Sequence, residues 1–224
     1  AKGGLANTVR GVTLRMPHAN GCCTLLLEVL AGLLLLLHMA VAMLGSIQCW
    51  FAFDAAVGEA LDFNLTGWNS VLAIGVFMYS FGLILCVQGV LAKWVVLGRV
   101  SPGRRRLTAG LYFRHLYVHQ LLQTCYLAFV QPWYKVSFPL YLWLKLLGAK
   151  VSLRCILSPV RDNVTTNADL IDIRDGCYLG NQPGIWSFEV HDDTSEGGGI
   201  DVTFHRTVLG KDSFLGPNSM LFGG

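Results

Sequence analysis

From Phe63 to Arg161 the chain contains neither aspartate nor glutamate. Over all 224 residues only 14% are charged, whereas a soluble domain carries about 25%. The deficit is uneven, which predicts a membrane segment joined to a more polar domain. The cysteines also lack pattern. There are seven, Cys22, Cys23, Cys49, Cys86, Cys125, Cys155 and Cys177, with no CxxC pair. An odd, scattered set argues against a closed disulfide framework and reads as small buried residues. Beyond residue 147 there are only two histidines, His191 and His205. A three-histidine site of the γ-carbonic-anhydrase kind would need a histidine from another chain, so no metal is expected. There is no initiator Met, and the last residues fall inside a repeat. The expectation is a piece of a longer protein.

What is present begins with two long apolar runs. Residues 25–47 and 71–97 are each long enough to span a hydrocarbon core of about 30 Å. Glu28 can reach the interface, whereas His38 lies deeper and is a functional candidate or a neutral histidine bonded to a neighbouring helix. Gly75, Ser80 and Gly82 allow close helix packing, and Lys93 and Trp94 read as interface anchors. The connection holds Asp54, Glu59 and Asp62 and no cation, while Lys2, Arg10 and Arg15 precede the hairpin and Arg99, Arg104, Arg105 and Arg106 follow it. The positive-inside rule then puts both ends in the cytoplasm. Asn64-Leu65-Thr66 would be a glycosylation sequon on the outer side.

Residues 99–147 mix cations with aromatics such as Tyr112, Phe113, Tyr117, Tyr126 and Trp143, and Pro132 and Pro139 break the run. No piece makes a third span. The mixture suits interfacial helices lying on an anionic leaflet, with Arg99, Arg104, Arg105, Arg106 and Arg114 as membrane-surface contacts. Nucleic acid is the rival partner for a basic patch, and it is not favoured because no recognition motif accompanies the charges.

The last 77 or so residues carry a period of six. Val151 and Leu157 are one pair. Ile173, Leu179 and Ile185 follow, then Leu209, Leu215 and Leu221. Four residues after an aliphatic comes a small or turn residue: Cys155, Cys177, Pro183, Ser213 or Ser219. A left-handed parallel β-helix needs this spacing, because each side of its triangular coil takes about six residues. The expected class is therefore membrane α plus all-β: a 1–23 cytoplasmic flank, a transmembrane hairpin over 24–98, interfacial helices over 99–147, and a left-handed β-helix over 148–224. The pattern lapses over 186–206, read as a projecting loop with His191 and His205 at its ends and Glu189, Asp192 and Asp193 close by.

The stretches "LAKWVVLGRVSPGRRRL", "LWLKLLGAKV" and "ADLIDIRDGCYLG", then the hexads and a terminal "FGG", occur in that order. Together they resemble the membrane-bound C-terminal region of poly-ε-lysine-synthetase-like nonribosomal peptide synthetases, from about Thr24 to Gly224. That family's hexads usually read I-G-D-G. Here Ile173 is followed by Arg174, Asp175 and Gly176, and Val151-Ser152 stands where I-G is usual. The resemblance implies an acyltransferase-like segment that joins carrier-bound aminoacyl groups to an amine. Its phosphopantetheine-linked substrate would come from a carrier domain elsewhere, since no adenylation or carrier motif is present. His191 is the candidate base, Glu189 or Asp193 would orient it, and His205 ranks second. Partners implied are the lipid bilayer, adenylation and carrier domains or tandem copies, and a homotrimer. A non-catalytic β-helix scaffold and a stand-alone hexapeptide-repeat acyltransferase remain open beside it.

Overall fold

The structure, a computed structural model, describes residues 21–60, 66–131, 137–161, 163–193 and 199–222. The N-terminal cations, Asp62 and Asn64 lie outside them. Helix α1 is Gly21–Ala60 and α2 is Thr66–Ala92, and the second continues into a π-helical turn at Lys93–Leu97. Two segments, Cys23–Ala56 and Val71–Leu97, are long and apolar enough to cross a membrane. Both outlast a single bilayer crossing of about 20 residues. Asp54 therefore lies on α1 rather than in a connecting loop.

The helices pack through small residues and polar clasps. Gly45 of α1 lies against Ile84 of α2, whereas a Cβ at Gly82 would collide with the Phe129 ring and one at Gly75 would meet nothing, so neither of these α2 glycines makes the close contact with α1 that the sequence suggested. His38 of α1 reaches Gln88 of α2 with Nδ1 at 2.7 Å, and its Nε2 meets the Tyr117 hydroxyl. Both ring nitrogens therefore have partners on other helices, the bonded alternative expected for this histidine.

The basic segment departs from expectation. Arg104–Arg106 do not lie on a helix: Gly103–Arg106 forms strand β1. Helix α3, Ala109–Cys125, starts where the Thr108 hydroxyl accepts the Leu111 N–H at 3.2 Å. It buries Tyr112, Tyr117, Val118, Leu121, Leu122 and Cys125, and packs on α1 and α2 instead of lying apart from them. A π-helical turn, Tyr126–Val130, extends it. Helix α4, Ser137–Leu146, ends at Gly148, whose φ of 101° favours glycine. There the Gly148 and Ala149 N–H groups bond back to the Lys145 and Leu144 carbonyls, closing the last turn.

The remaining chain is strand-rich. Strands β2 (Lys150–Val151), β3 (Ile156–Leu157), β4 (Ile171–Ile173), β5 (Tyr178–Leu179) and β6 (Gly184–Trp186) come first, with the short helix α5 (Asn163–Thr166) between β3 and β4. Then follow β7 (Phe188–Asp193), β8 (Gly199–Phe204), β9 (Thr207–Leu209), β10 (Phe214–Leu215) and β11 (Met220–Phe222). Apart from β7 and β8, these strands make three small parallel sheets, visited in rotation: β2-β4-β9, β3-β5-β10 and β6-β11. The pairing register stacks the hexad residues on one another. Val151 lies beside Ile173 and Ile173 beside Leu209; Leu157, Leu179 and Leu215 form the second stack, and Ile185 and Leu221 the third. Asp212 and Asn218 take positive φ in the turns between strands, where a short polar side chain is tolerated, and Gln182 does so as well.

One hydrophobic core runs without a break from Ala31 and Leu85, through Leu122 and Leu144, to Ile173 and Leu179. Lys93 sits inside this arrangement, not at an interface. Its Nζ lies 3.1 Å from Asp169 Oδ2, and the two side chains are 0% and 2% exposed. Asp169 Oδ2 also accepts the Val100 N–H at 2.6 Å, and Lys93 Nζ stands 3.8 Å from the Trp94 ring centre. The anchor expectation fails for Lys93 because Asp169, among the first acidic residues after the long gap, comes back to meet it. Removing one partner of such a pair strands a buried charge and costs about 3–5 kcal/mol, whereas replacing both by apolar groups is often neutral. Asp169→Ala should therefore lower the thermal midpoint of the detergent-solubilised chain sharply, and Lys93→Met/Asp169→Leu should recover most of the loss. A double variant no better than the single one would show that the pair is not the source.

Candidate functional site

Within the 186–206 segment, expected as a projecting loop, Phe188–Asp193 and Gly199–Phe204 form an antiparallel strand pair. Its sequence alternates, "FEVHD" on one side and "IDVTFH" on the other, about a glycine-rich stretch. Alternation of period two gives each strand one polar and one apolar face. Strands β7 and β8 pair antiparallel, with Phe188 opposite Phe204, Glu189 opposite Thr203 and His191 opposite Asp201. Strand β1 adds antiparallel to the other edge of β8, with Arg104 opposite Thr203 and Arg106 opposite Asp201. Residues directly opposite share a face. The polar face of this three-stranded sheet thus carries Arg104, Arg106, Asp201, Thr203, Glu189 and His191.

The β8 residues of the apolar face are buried. Ile200, Val202 and Phe204 pack with Val100, Leu107, Tyr112 and Leu170, and Leu27 of α1 lies against the same cluster. His115 of α3 stacks on Phe204 with ring centres 5.4 Å apart. A cavity of about 20 Å³, enough for one water, lies on this side, lined by Leu111, His115, Asn167 and Phe204 among others. Asn167 Oδ1 is buried without a hydrogen-bond partner.

On the polar face the Glu189 carboxylate sits between two imidazoles. Its Oε2 is 3.7 Å from His191 Nε2 and 3.7 Å from His205 Nε2. His205 follows β8 directly, and its N–H bonds the Ser187 carbonyl at 2.8 Å. Its Nε2 is buried and without a hydrogen-bond partner, whereas His191 is about half exposed. Arg104 Nε donates to Asp201 Oδ2 at 2.7 Å.

Of the sequence-selected residues, Glu189, His191 and His205 come together around one carboxylate. The Asp193 backbone pairs with Gly199 at the tip of the hairpin, and its side chain lies outside the described residues. Arg104 and Arg106 share the polar face with them, which the reading of a membrane-surface patch did not anticipate. Arg105 points the other way, and its Nη2 donates to Ser101 Oγ at 2.6 Å. Arg99 lies in the exposed stretch before β1, and Arg114 is exposed on α3. Asp201 and Thr203 were missed; the alternation of "IDVTFH" was the available signal. Among the described residues no group of three His, Cys, Asp or Glu side chains is arranged to hold a metal ion.

No protein-family model matches the chain, and neither a curated protein nor a solved structure matches it.

Burial holds the His115 pKa at about 4, with the Arg105 charge adding to the depression and His119 contributing less. The unfolded imidazole, near 6.5, takes up a proton that the folded one refuses. Stability from this group is therefore complete above pH 6.5 and is lost as pH falls toward 4, by about 3 kcal/mol. His115→Phe keeps an aromatic ring against Phe204 and should flatten that part of the stability–pH curve. An unchanged slope between pH 6.5 and 4 in the variant would contradict the assignment.

Proposed function

We propose that the chain is a membrane-anchored acyl-transfer unit whose strand-rich part is a left-handed parallel β-helix carrying its site on an inserted hairpin. The hexad stacking and the rotation among three parallel sheets support the β-helix reading. Positive charge after the second span, against acidic residues between the spans, supports a cytoplasmic face for the site. The observation that carries the reading is the Glu189 carboxylate held 3.7 Å from both His191 and His205.

In this reading an amine attacks a thioester presented on a phosphopantetheine arm, as in the synthetases that the sequence resembles. His191, the more exposed imidazole, takes the proton from the attacking nitrogen. Glu189 stabilises the imidazolium that forms, as a carboxylate does beside a catalytic histidine. The C–N bond forms, the C–S bond breaks, and the proton passes to the departing thiolate. Arg104 and Arg106 give the face positive potential suited to the phosphate of the arm. The reaction would then run beside the bilayer, with carrier domains or tandem copies as partners.

A second reading is a scaffold, or a site that a neighbouring copy completes. It is favoured by one observation: the described cavity lies on the opposite face of the sheet from His191. The readings separate in a transfer assay with an aminoacyl-thioester donor and a free amine. His191→Ala should lower turnover by about 10²–10⁴, and Glu189→Gln should lower it by less, with both variants folded. Equal turnover in wild type and His191→Ala would remove the base assignment, and no transfer by the wild type would favour the scaffold.

A further inference from the structure

The geometry points to a second contact with lipid: we infer that α4 and one flank of the strand-rich region rest on the membrane surface as a continuous apolar strip. The inference rests on α1 and α2 crossing the bilayer. The strip starts at the exit of the second apolar helix, where Trp94 is half exposed and Val95 is 82% exposed. The Trp94 indole donates to the Leu146 carbonyl at 2.9 Å, fixing the end of α4 beside that exit. Along α4, Phe138, Leu142 and Leu146 are spaced by four and all exposed, Phe138 at 62%, while Leu140, Tyr141, Trp143 and Leu144 face the core. Four-residue spacing makes one ridge on a helix. A short helix with a buried face that also presents an apolar ridge outward offers that ridge to a second apolar neighbour.

The ridge passes directly to the strands. Ser137, beside Phe138, donates its hydroxyl to the Leu157 carbonyl of β3 at 2.9 Å. From the outer side of that sheet Ile156, Tyr178 and Phe214 project in pairing register, one above another. Ile156 is 58% and Phe214 69% exposed, and the Tyr178 and Phe214 rings stack at 5.3 Å. An exposed apolar patch of this kind marks a membrane or protein contact. Continuity with the lipid-facing side of α2 selects lipid. So does the fringe of cations, Lys145 next to Leu146 and Arg154 next to Leu153, which suits anionic headgroups. The consequence is orientation: the strand region lies with a side on the leaflet, fixing the height of the Glu189–His191–His205 face above it.

The test uses the full chain in nanodiscs of mixed zwitterionic and anionic phospholipid. The photo-crosslinker p-benzoylphenylalanine replaces, one at a time, Leu44 on α1, Leu142, Phe214, and Val208 on a different parallel sheet. Lipid adducts are read by mass spectrometry. The expected result is lipid adducts at 44, 142 and 214 at similar levels, and none above background at 208. Adducts at 44 without adducts at 142 and 214 overturn the strip and leave the spanning helices standing. Crosslinks from 214 to a second protein chain overturn it in favour of a protein interface. Absence of lipid adducts at 44 overturns the spanning reading and the strip together.

Discussion

Lys93 and Asp169 come from parts of the chain suited to different solvents. One lies at the end of a helix apolar enough to cross a membrane, the other just before the strand that opens the second round of parallel sheets. Their 3.1 Å contact is buried, and Asp169 also holds the Val100 N–H. A buried ion pair contributes little net stability against an apolar substitute, but it tolerates few geometries. Its consequence here is positional. It fixes the segment after the second apolar helix against the strand region, and β1 begins at Gly103, three residues beyond Val100.

That short tether explains why the candidate site exists in this form. The hairpin β7–β8 would by itself be a two-stranded ribbon, which is marginal in water. Strand β1 completes its edge, and the cluster of Val100, Leu107, Ile200, Val202 and Phe204 fills the space beneath. The outward face then gathers Arg104, Arg106 and Asp201 beside Glu189 and His191. Charges read separately as a membrane patch and a catalytic loop thus become one surface. The sheet's dependence on residues 100–107 also links any chemistry on its polar face to the segment that follows the second apolar helix.

Much of this was legible in residues, and the exceptions have a common cause. The apolar runs predicted the two long helices, and the hexad phase of Ile173, Leu179 and Ile185 anticipated which residues the pairing register would stack. Local pattern sufficed because both depend on near neighbours in sequence. Lys93 was misread because the partner that buries it is 76 residues away. Arg104–Arg106 were misread for the same reason: three arginines carry no strand signal until β8 offers an edge. The hairpin is a different kind of miss. Its alternation is visible in the residues, but it sets in where the hexads lapse, as a change of period from six to two. His38 was resolved only by Gln88 and Tyr117, from two other helices.

The central claim is that the segment following the second apolar helix is a structural part of the site rather than a loose basic tether at the membrane. Amide hydrogen exchange of the full chain in nanodiscs tests it most directly. The account predicts that the amides of Val100 and of β1 exchange slowly and together with those of Val202 and Phe204. Free-peptide exchange rates across residues 98–106, beside protected parallel strands, would contradict it.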